Sequence, residues 1–165
     1  MKIVLFMLAT FLTLVSCGGF EFVYKTNKNI FLIKDFTSIS TDGDDASEIH
    51  VILVDMIGNN FEDPKYKISL NSKKTETASV ITKDATASQF NIKYEIGYDL
   101  YSVNKGCKIY SKEVKTSTFY NARSDGYSFG TELSQKESSS QVIEKNINNF
   151  LSSLESIQSL RCIKN

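Results

Sequence analysis

The sequence predicts an α/β fold: a two-layer sandwich in which a mixed, mostly antiparallel four-stranded sheet carries two helices on one face, in the order β-α-β-β-β-α. Three observations lead there. Phe90, Ile92, Tyr94, Ile96, Tyr98 and Leu100 alternate with Asn91, Lys93, Glu95, Gly97 and Asp99, which is the period of a half-buried strand. Ile49, Ile52, Leu53 and Met56 recur at i, i+3, i+4 and i+7, which is one face of an amphipathic helix. A strand, a helix and a second strand in succession favour a parallel crossover unit. The later strands are joined closely enough for hairpins, and both helices need a sheet face to cover.

Taken in order, the apolar run Asn29 to Phe36 is rich in branched and aromatic residues and is expected as a buried first strand. Thr41-Asp42-Gly43-Asp44-Asp45 reads as a polar turn. Asp45 and Glu48 then have the spacing of a helix N-cap and its reciprocal partner, and Gly58-Asn59-Asn60 is a C-terminal stop. Asp63-Pro64 breaks the chain before Tyr66 to about Thr82, which opens with strict alternation and is expected as the second strand. Thr82 to Ala85 is a turn, and the third strand follows. Val103-Asn104-Lys105-Gly106 has the chemistry of a hairpin turn. Cys107 to Tyr120 returns as the fourth strand, with a bulge or exposed edge expected where the alternation falters at Ser111 to Glu113. From about Tyr127 to Leu160 a long helix places Phe129, Leu133, Ile143, Ile147, Phe150, Leu151, Leu154 and Ile157 on one face. Ser138 to Ser140 interrupt it, either letting the helix approach the sheet closely or marking a frayed stretch.

The N-terminus states an address. Met1-Lys2, the apolar run Ile3 to Val15 and Ser16 form the basic start, core and small-residue cleavage site of a signal peptide, and Leu14-Val15-Ser16-Cys17 is a bacterial lipobox. The apolar run has 13 residues against the ~20 that a spanning helix needs. Cys17 is therefore expected to carry a diacylglycerol on its sulfur and an acyl chain on its amine, and no other cofactor is implied. Each buried CH2 contributes ~0.8 kcal/mol, so three chains anchor firmly. Gly18 follows the cysteine instead of the Asp that in many Gram-negative bacteria retains a lipoprotein in the inner membrane. The periplasmic side of the outer membrane is the expected location.

Cleavage would leave roughly 150 residues, enough for one domain with a hydrophobic core. The expected division is a signal peptide over 1–16, a lipidated tether over 17–28 and one α/β domain over 29–165. The formal net charge is zero but unevenly spread. Asp35 to Asp63 holds eight acidic residues and no Lys or Arg, whereas Lys65 to Arg123 holds eleven basic residues against five acidic ones. Such bias suits a solvated face, or an anionic partner at a membrane.

Catalytic patterns are missing. His50 is the single histidine and has no partner at metal-ligand or acid-base spacing. There is no Gly-x-Ser-x-Gly elbow, no Gly-rich phosphate loop and no His-Glu-x-x-His helix. The run Asp42 to Asp45 lacks the spacing and terminal Glu of a calcium loop. A non-enzymatic role is expected. Two cysteines remain besides Cys17. The fourth strand from Cys107 to Phe119 covers about 43 Å and a helix from Ser128 to Ile157 about 45 Å. A helix doubling back along that strand returns Cys162 beside Cys107. In an oxidising compartment the two either close a disulfide or stay as free thiols.

Together these features resemble the LptE family, the lipoproteins that help assemble lipopolysaccharide in the outer membrane. Asp63-Pro64-Lys65-Tyr66-Lys67-Ile68 resembles the family's entry to its second strand, and Thr77-Ala78-Ser79-Val80 the segment before the next hairpin. Phe90-Asn91-Ile92 through Tyr98-Asp99-Leu100 resembles its long third strand. Phe119-Tyr120-Asn121, followed by Tyr127-Ser128 and the amphipathic helix, completes the likeness. The resemblance implies a plug inside the lumen of a large LptD-like β-barrel that supports barrel assembly and contacts lipopolysaccharide, with no nucleic-acid partner. One basic residue of the family lies in the turn between the second and third strands, where this chain has Lys83. Another heads the last helix, where Thr131 and Glu132 stand here and Arg123 is the nearest basic substitute. Lys93, on the sheet face away from the helices, is a third candidate or an ordinary solvated lysine. A polar barrel lumen would be met by a polar sheet face, and Asn91, Lys93, Glu95 and Asp99 suit it. The competing reading is an auxiliary lipoprotein of a periplasmic ABC-type lipid transport system, which shares the anchor and a comparable build.

Overall fold

A computed structural model describes residues 32–81, 87–122, 128–157 and 160–163. Its elements are β1 (Thr37–Gly43), α1 (Ala46–Ile57), β2 (Tyr66–Ile81), β3 (Ala87–Ser102), β4 (Cys107–Asn121) and α2 (Ser128–Glu155). The sheet order is β1-β2-β3-β4. β1 runs parallel to β2, from Thr37 beside Tyr66 to Gly43 beside Ser72, and the other two pairings are antiparallel. This is the predicted two-layer sandwich. α2 packs chiefly on β4 and β3, and α1 on β1.

The core follows the period-two pattern of β3. Ile92, Tyr94, Ile96, Tyr98 and Leu100 all face the helices and are buried, with Ile68 and Leu70 of β2 on one side and Val114 of β4 on the other. Ile49, Leu53 and Ile57 of α1 and Ile143, Ile147, Phe150 and Leu154 of α2 close over them. Each such aliphatic side chain contributes about 2 kcal/mol on leaving water. Tyr98 and Phe150 stack with ring centroids 4.1 Å apart. The Val103–Gly106 hairpin forms as expected, with Gly106 at φ 61°.

The first strand is not where hydrophobicity placed it. The described part of the Asn29–Phe36 run is a helical end at Leu32 and Ile33 followed by a turn in which Asp35 takes φ 60°. The Asp35 amide donates to Ile57 O at 2.8 Å and the Thr37 hydroxyl to Ile33 O at 2.7 Å, so the run tucks Ile33 under the end of α1. The strand is the plainer Thr37–Gly43, which includes residues expected in the turn. As an edge strand it needs only Thr37 and Ile39 inward. Its last residue has to be glycine. Gly43 has φ 93°, and a Cβ there would lie 2.1 Å from Ser72 O.

The expected capping box also fails to form. Asp45 occupies the N-cap position in a left-handed conformation and makes no side-chain cap. Its carboxylate accepts the Tyr94 hydroxyl instead and pairs with Lys74 Nζ at 3.1 Å. Burial raises the Asp45 carboxyl, but the hydrogen bonds from Tyr94 and Lys74 and the lysine charge outweigh it and hold it below its usual value. Glu48 accepts from Ser140 of α2. A buried phenol requires an acceptor, and that requirement takes precedence over a local cap.

Two further details differ. α2 ends at Glu155 instead of Leu160, and Leu133 is 47% exposed, while Val142 and Asn146 join the buried face. Ser139 is buried within an unbroken helix, so the serine run allows close approach to the sheet. In β4, Ser111 to Glu113 are exposed because the strand is the sheet edge, and the register shift lies instead between Leu100 and Tyr101, leaving Ile109 as the extra residue. The turn expected at Thr82 to Ala85 lies outside the described residues.

Candidate partner face and anchor

The sheet face turned away from the helices is built from the alternate residues of three strands. β2 supplies Ser69, Asn71 and Lys73, β3 supplies Lys93, Glu95, Gly97 and Asp99, and β4 supplies Ser111, Glu113 and Lys115. Register places Glu95 opposite Lys115 and Gly97 opposite Glu113. Glu95 bonds Lys93 at 2.6 Å and Lys115 at 3.3 Å, and Lys115 reaches Glu113 at 2.7 Å. Asp99 accepts from Lys108 at 2.8 Å and from the Ser111 hydroxyl at 2.6 Å.

The electrostatics follow from these contacts. Hydrogen bonds from Lys93 and then Lys115 hold the Glu95 carboxyl below its usual value. Burial works against Asp99, yet its bonds from Lys108 and Ser111 lower it too. Asp99 in turn raises Lys108, and Glu113 with Glu95 raises Lys115. The face is thus charged throughout and nearly neutral in sum. At its centre Gly97 offers no side chain, and an added Cβ there would meet only Asn71 O at 4.0 Å. The resulting open depression of about 380 Å³ is lined by Asp42, Asn71, Asp99 and Glu113 among others. It suits a polar surface that brings hydrogen-bond donors, not an apolar ligand.

Of the residues singled out in the sequence, Lys93 lies on this face, half-exposed, with its charge engaged by Glu95. Cys17, Lys83 and Arg123 lie outside the described residues. The segments carrying Lys83 and Arg123 leave the sheet at the same end, because Ile81 pairs with Ala87 and Gln89 with Asn121. Cys107 and Cys162 are joined as a disulfide with Cα atoms 5.7 Å apart, and the Ile163 amide donates to Lys108 O at 2.8 Å beside it. The Glu113–Lys115 contribution was not anticipated. Its signal was the outward alternation Ser111, Glu113, Lys115, Ser117, whose partners only the register supplies. Among the described residues no group of three or more His, Cys, Asp or Glu side chains could hold a metal ion. No described helix is long and apolar enough to cross a membrane.

Element order, sheet order and the one-sided helical layer define the domain as a β-α-β-β-β-α sandwich of a kind found in bacterial lipoproteins. A protein described as a lipoprotein of Caulobacter crescentus superimposes with a TM-score of 0.61 at 14% identity, over 80% of this chain and 93% of its own. The rare lipoprotein B of Shewanella oneidensis gives 0.56 at 9% identity over 73% and 93%. A minor lipoprotein of Acinetobacter baumannii gives 0.54 at 9% over 79% and 97%. At these identities the likeness is one of fold. No protein-family model and no curated protein matches the sequence.

Proposed function

We propose that the protein is an outer-membrane lipoprotein, acylated at Cys17 and facing the periplasm, whose domain plugs an LptD-like β-barrel, supports its assembly and assists lipopolysaccharide insertion. The observation that carries this reading is the helix-free sheet face. It is broad, polar, ion-paired and open at Gly97, as a surface meeting the wet wall of a barrel lumen would be. Lipobox, domain size and fold agree with it, and so do the lipoproteins that share the fold. Lipopolysaccharide contact falls to Lys83 and Arg123, whose segments start from one end of the sheet, with Lys93 as a weaker candidate because Glu95 already satisfies it. Cations at such tips pair with phosphates through charge-assisted hydrogen bonds.

Mild detergent extraction followed by identification of co-purifying proteins tests the reading. A very large β-barrel is the expected partner. Recovery of a periplasmic transport complex instead would transfer the domain to the ABC-type lipid transport reading.

A further inference from the structure

One end of the sheet gathers several segments near Leu32, where the described chain begins. Phe36 precedes β1, Lys65 precedes β2, Val103–Gly106 joins β3 to β4, and the chain beyond α2 returns there through Cys162. Backbone bonds hold these pieces together: the Lys65 amide donates to Phe36 O at 2.9 Å, the Val103 amide to Lys65 O at 2.9 Å and the Ile163 amide to Lys108 O at 2.8 Å. Large apolar side chains stand out from this end. Phe61 is 73% exposed, Leu32 50% and Val103 48%. Cations stand among them. Lys65 Nζ lies 4.1 Å above the Phe36 ring, and Lys65 and Lys105 flank a hollow of about 160 Å³ that reaches Ile109 and Leu160. Neither lysine is in an ion pair among the described residues. Asp35, Glu62 and Asp63 belong to the same end, the amides of Glu62 and Asp63 donating to Asn60 Oδ1, but the hollow itself is lined by Lys65 and Lys105 and by no carboxylate.

Apolar side chains interleaved with unpaired lysines are the chemistry of a phospholipid interface, where the former enter the headgroup and acyl boundary and the latter meet phosphates. Length decides which end can be there. The fifteen residues from Cys17 to Phe31 reach about 50 Å at full extension. The described chain begins at Leu32, at this end, whereas the sixteen-residue β2 carries the opposite end about 50 Å away. The opposite end also exposes Val80, Ile81 and Phe119, but it could touch the bilayer only with the tether drawn out straight.

We propose that the Leu32–Phe61–Val103 end is a membrane-seating platform: its apolar side chains enter the interface of the phospholipid leaflet that holds the anchor, and Lys65 and Lys105 pair with its phosphates. This rests on acylation of Cys17 and concerns the anchored domain before it enters a barrel, seated upright on the leaflet with the β2–β3 hairpin pointing into the periplasm.

The chain contains no tryptophan, so single Phe→Trp variants report their own positions. Phe61→Trp and Phe119→Trp are made in the acylated mature chain and reconstituted in vesicles of phosphatidylethanolamine and phosphatidylglycerol carrying a headgroup-depth nitroxide quencher. Strong quenching of Phe61→Trp with Phe119→Trp near background is the expected result. Adding Lys65→Glu and Lys105→Glu should bring the Phe61→Trp signal toward background, with about a fivefold loss of interfacial occupancy for each lysine removed. Equal quenching at the two positions, or none at Phe61→Trp in protein that floats with the vesicles, would overturn the platform. Failure of the acylation reading shows separately, as a Cys17 peptide without added acyl mass.

Discussion

The Tyr98 hydroxyl donates to Oδ1 of Asn146 at 2.9 Å, joining the middle of the sheet to the middle of α2 inside the core. Asn146 is fully buried, and its amide nitrogen donates to Val114 O and to Thr116 Oγ1, both at 2.9 Å. Thr116 passes the chain on to Val142 O at 3.2 Å. Burial pushes the Tyr98 hydroxyl up, so it stays protonated and remains a donor at any physiological pH. Asn146→Ala would take away the Asn146 partner of the Tyr98 hydroxyl and of Val114 O, leave Thr116 Oγ1 with only its bond to Val142 O, and should cost about 2–4 kcal/mol. Tyr98→Phe should cost about 1–2 kcal/mol, since one oxygen is left unmet. Urea unfolding of both single variants and the double variant checks this, with a double-variant cost below the sum of the singles.

Asp45 makes stability depend on acid. Its folded-state value is depressed, so its contribution is fully present above the unfolded value near 3.9 and is lost as pH falls through the lower folded value. Asp45→Asn should lower stability by about 1 kcal/mol at neutral pH, after allowance for partial exposure. The deficit should shrink as pH falls below about 4. Melting temperatures of both proteins from pH 7 to pH 2.5 measure the convergence.

The Cys107–Cys162 bridge closes a separation of 55 residues. Reduction or Cys162→Ser should cost about 2–4 kcal/mol, chiefly by freeing the unfolded chain. Thiol labelling of the native, unreduced protein should leave both cysteines unmodified. The helical core should persist in far-UV circular dichroism, because Phe150, Leu151 and Leu154 bury α2 independently of the bridge.

Lys83→Glu combined with Arg123→Glu should weaken lipopolysaccharide capture by tenfold or more, since two charge-assisted phosphate contacts at about 1.5 kcal/mol each are reversed in sign. Co-purification with the barrel should be unchanged. Lys93→Glu should have a smaller effect, because Glu95 holds that lysine already. A lipid pull-down insensitive to the double variant would remove lipopolysaccharide from the assignment and leave the barrel partnership standing.

What the sequence disclosed depended on whether a signal was local. The strict alternation of β3 and the turn chemistry at Val103–Gly106 are written in neighbouring residues, and both elements formed where they were read. The first strand was misplaced because an apolar run reports burial, not backbone shape. Ile33 is buried under α1 at a helical end, while Thr37–Gly43, an edge strand covered on one face, needs little hydrophobicity. Asp45 and Glu48 have the spacing of a cap, but Tyr94 and Ser140, distant in sequence, claim them. The candidate partner face was half legible. Asn91, Lys93, Glu95 and Asp99 followed from one strand, whereas the Glu95–Lys115 pair follows from inter-strand register.

The parallel pairing of β1 with β2 has a mechanical consequence. A pull on the tether enters at Leu32 and acts along β1 from its N-terminal end, while the hydrogen bonds from Thr37–Tyr66 to Gly43–Ser72 run crosswise to that direction. The ladder is therefore loaded in shear, its bonds resisting together, instead of being unzipped one at a time from a fraying corner. Under the proposed anchoring, a barrel and a bilayer that drift against each other would tug on the strongest grain of the domain.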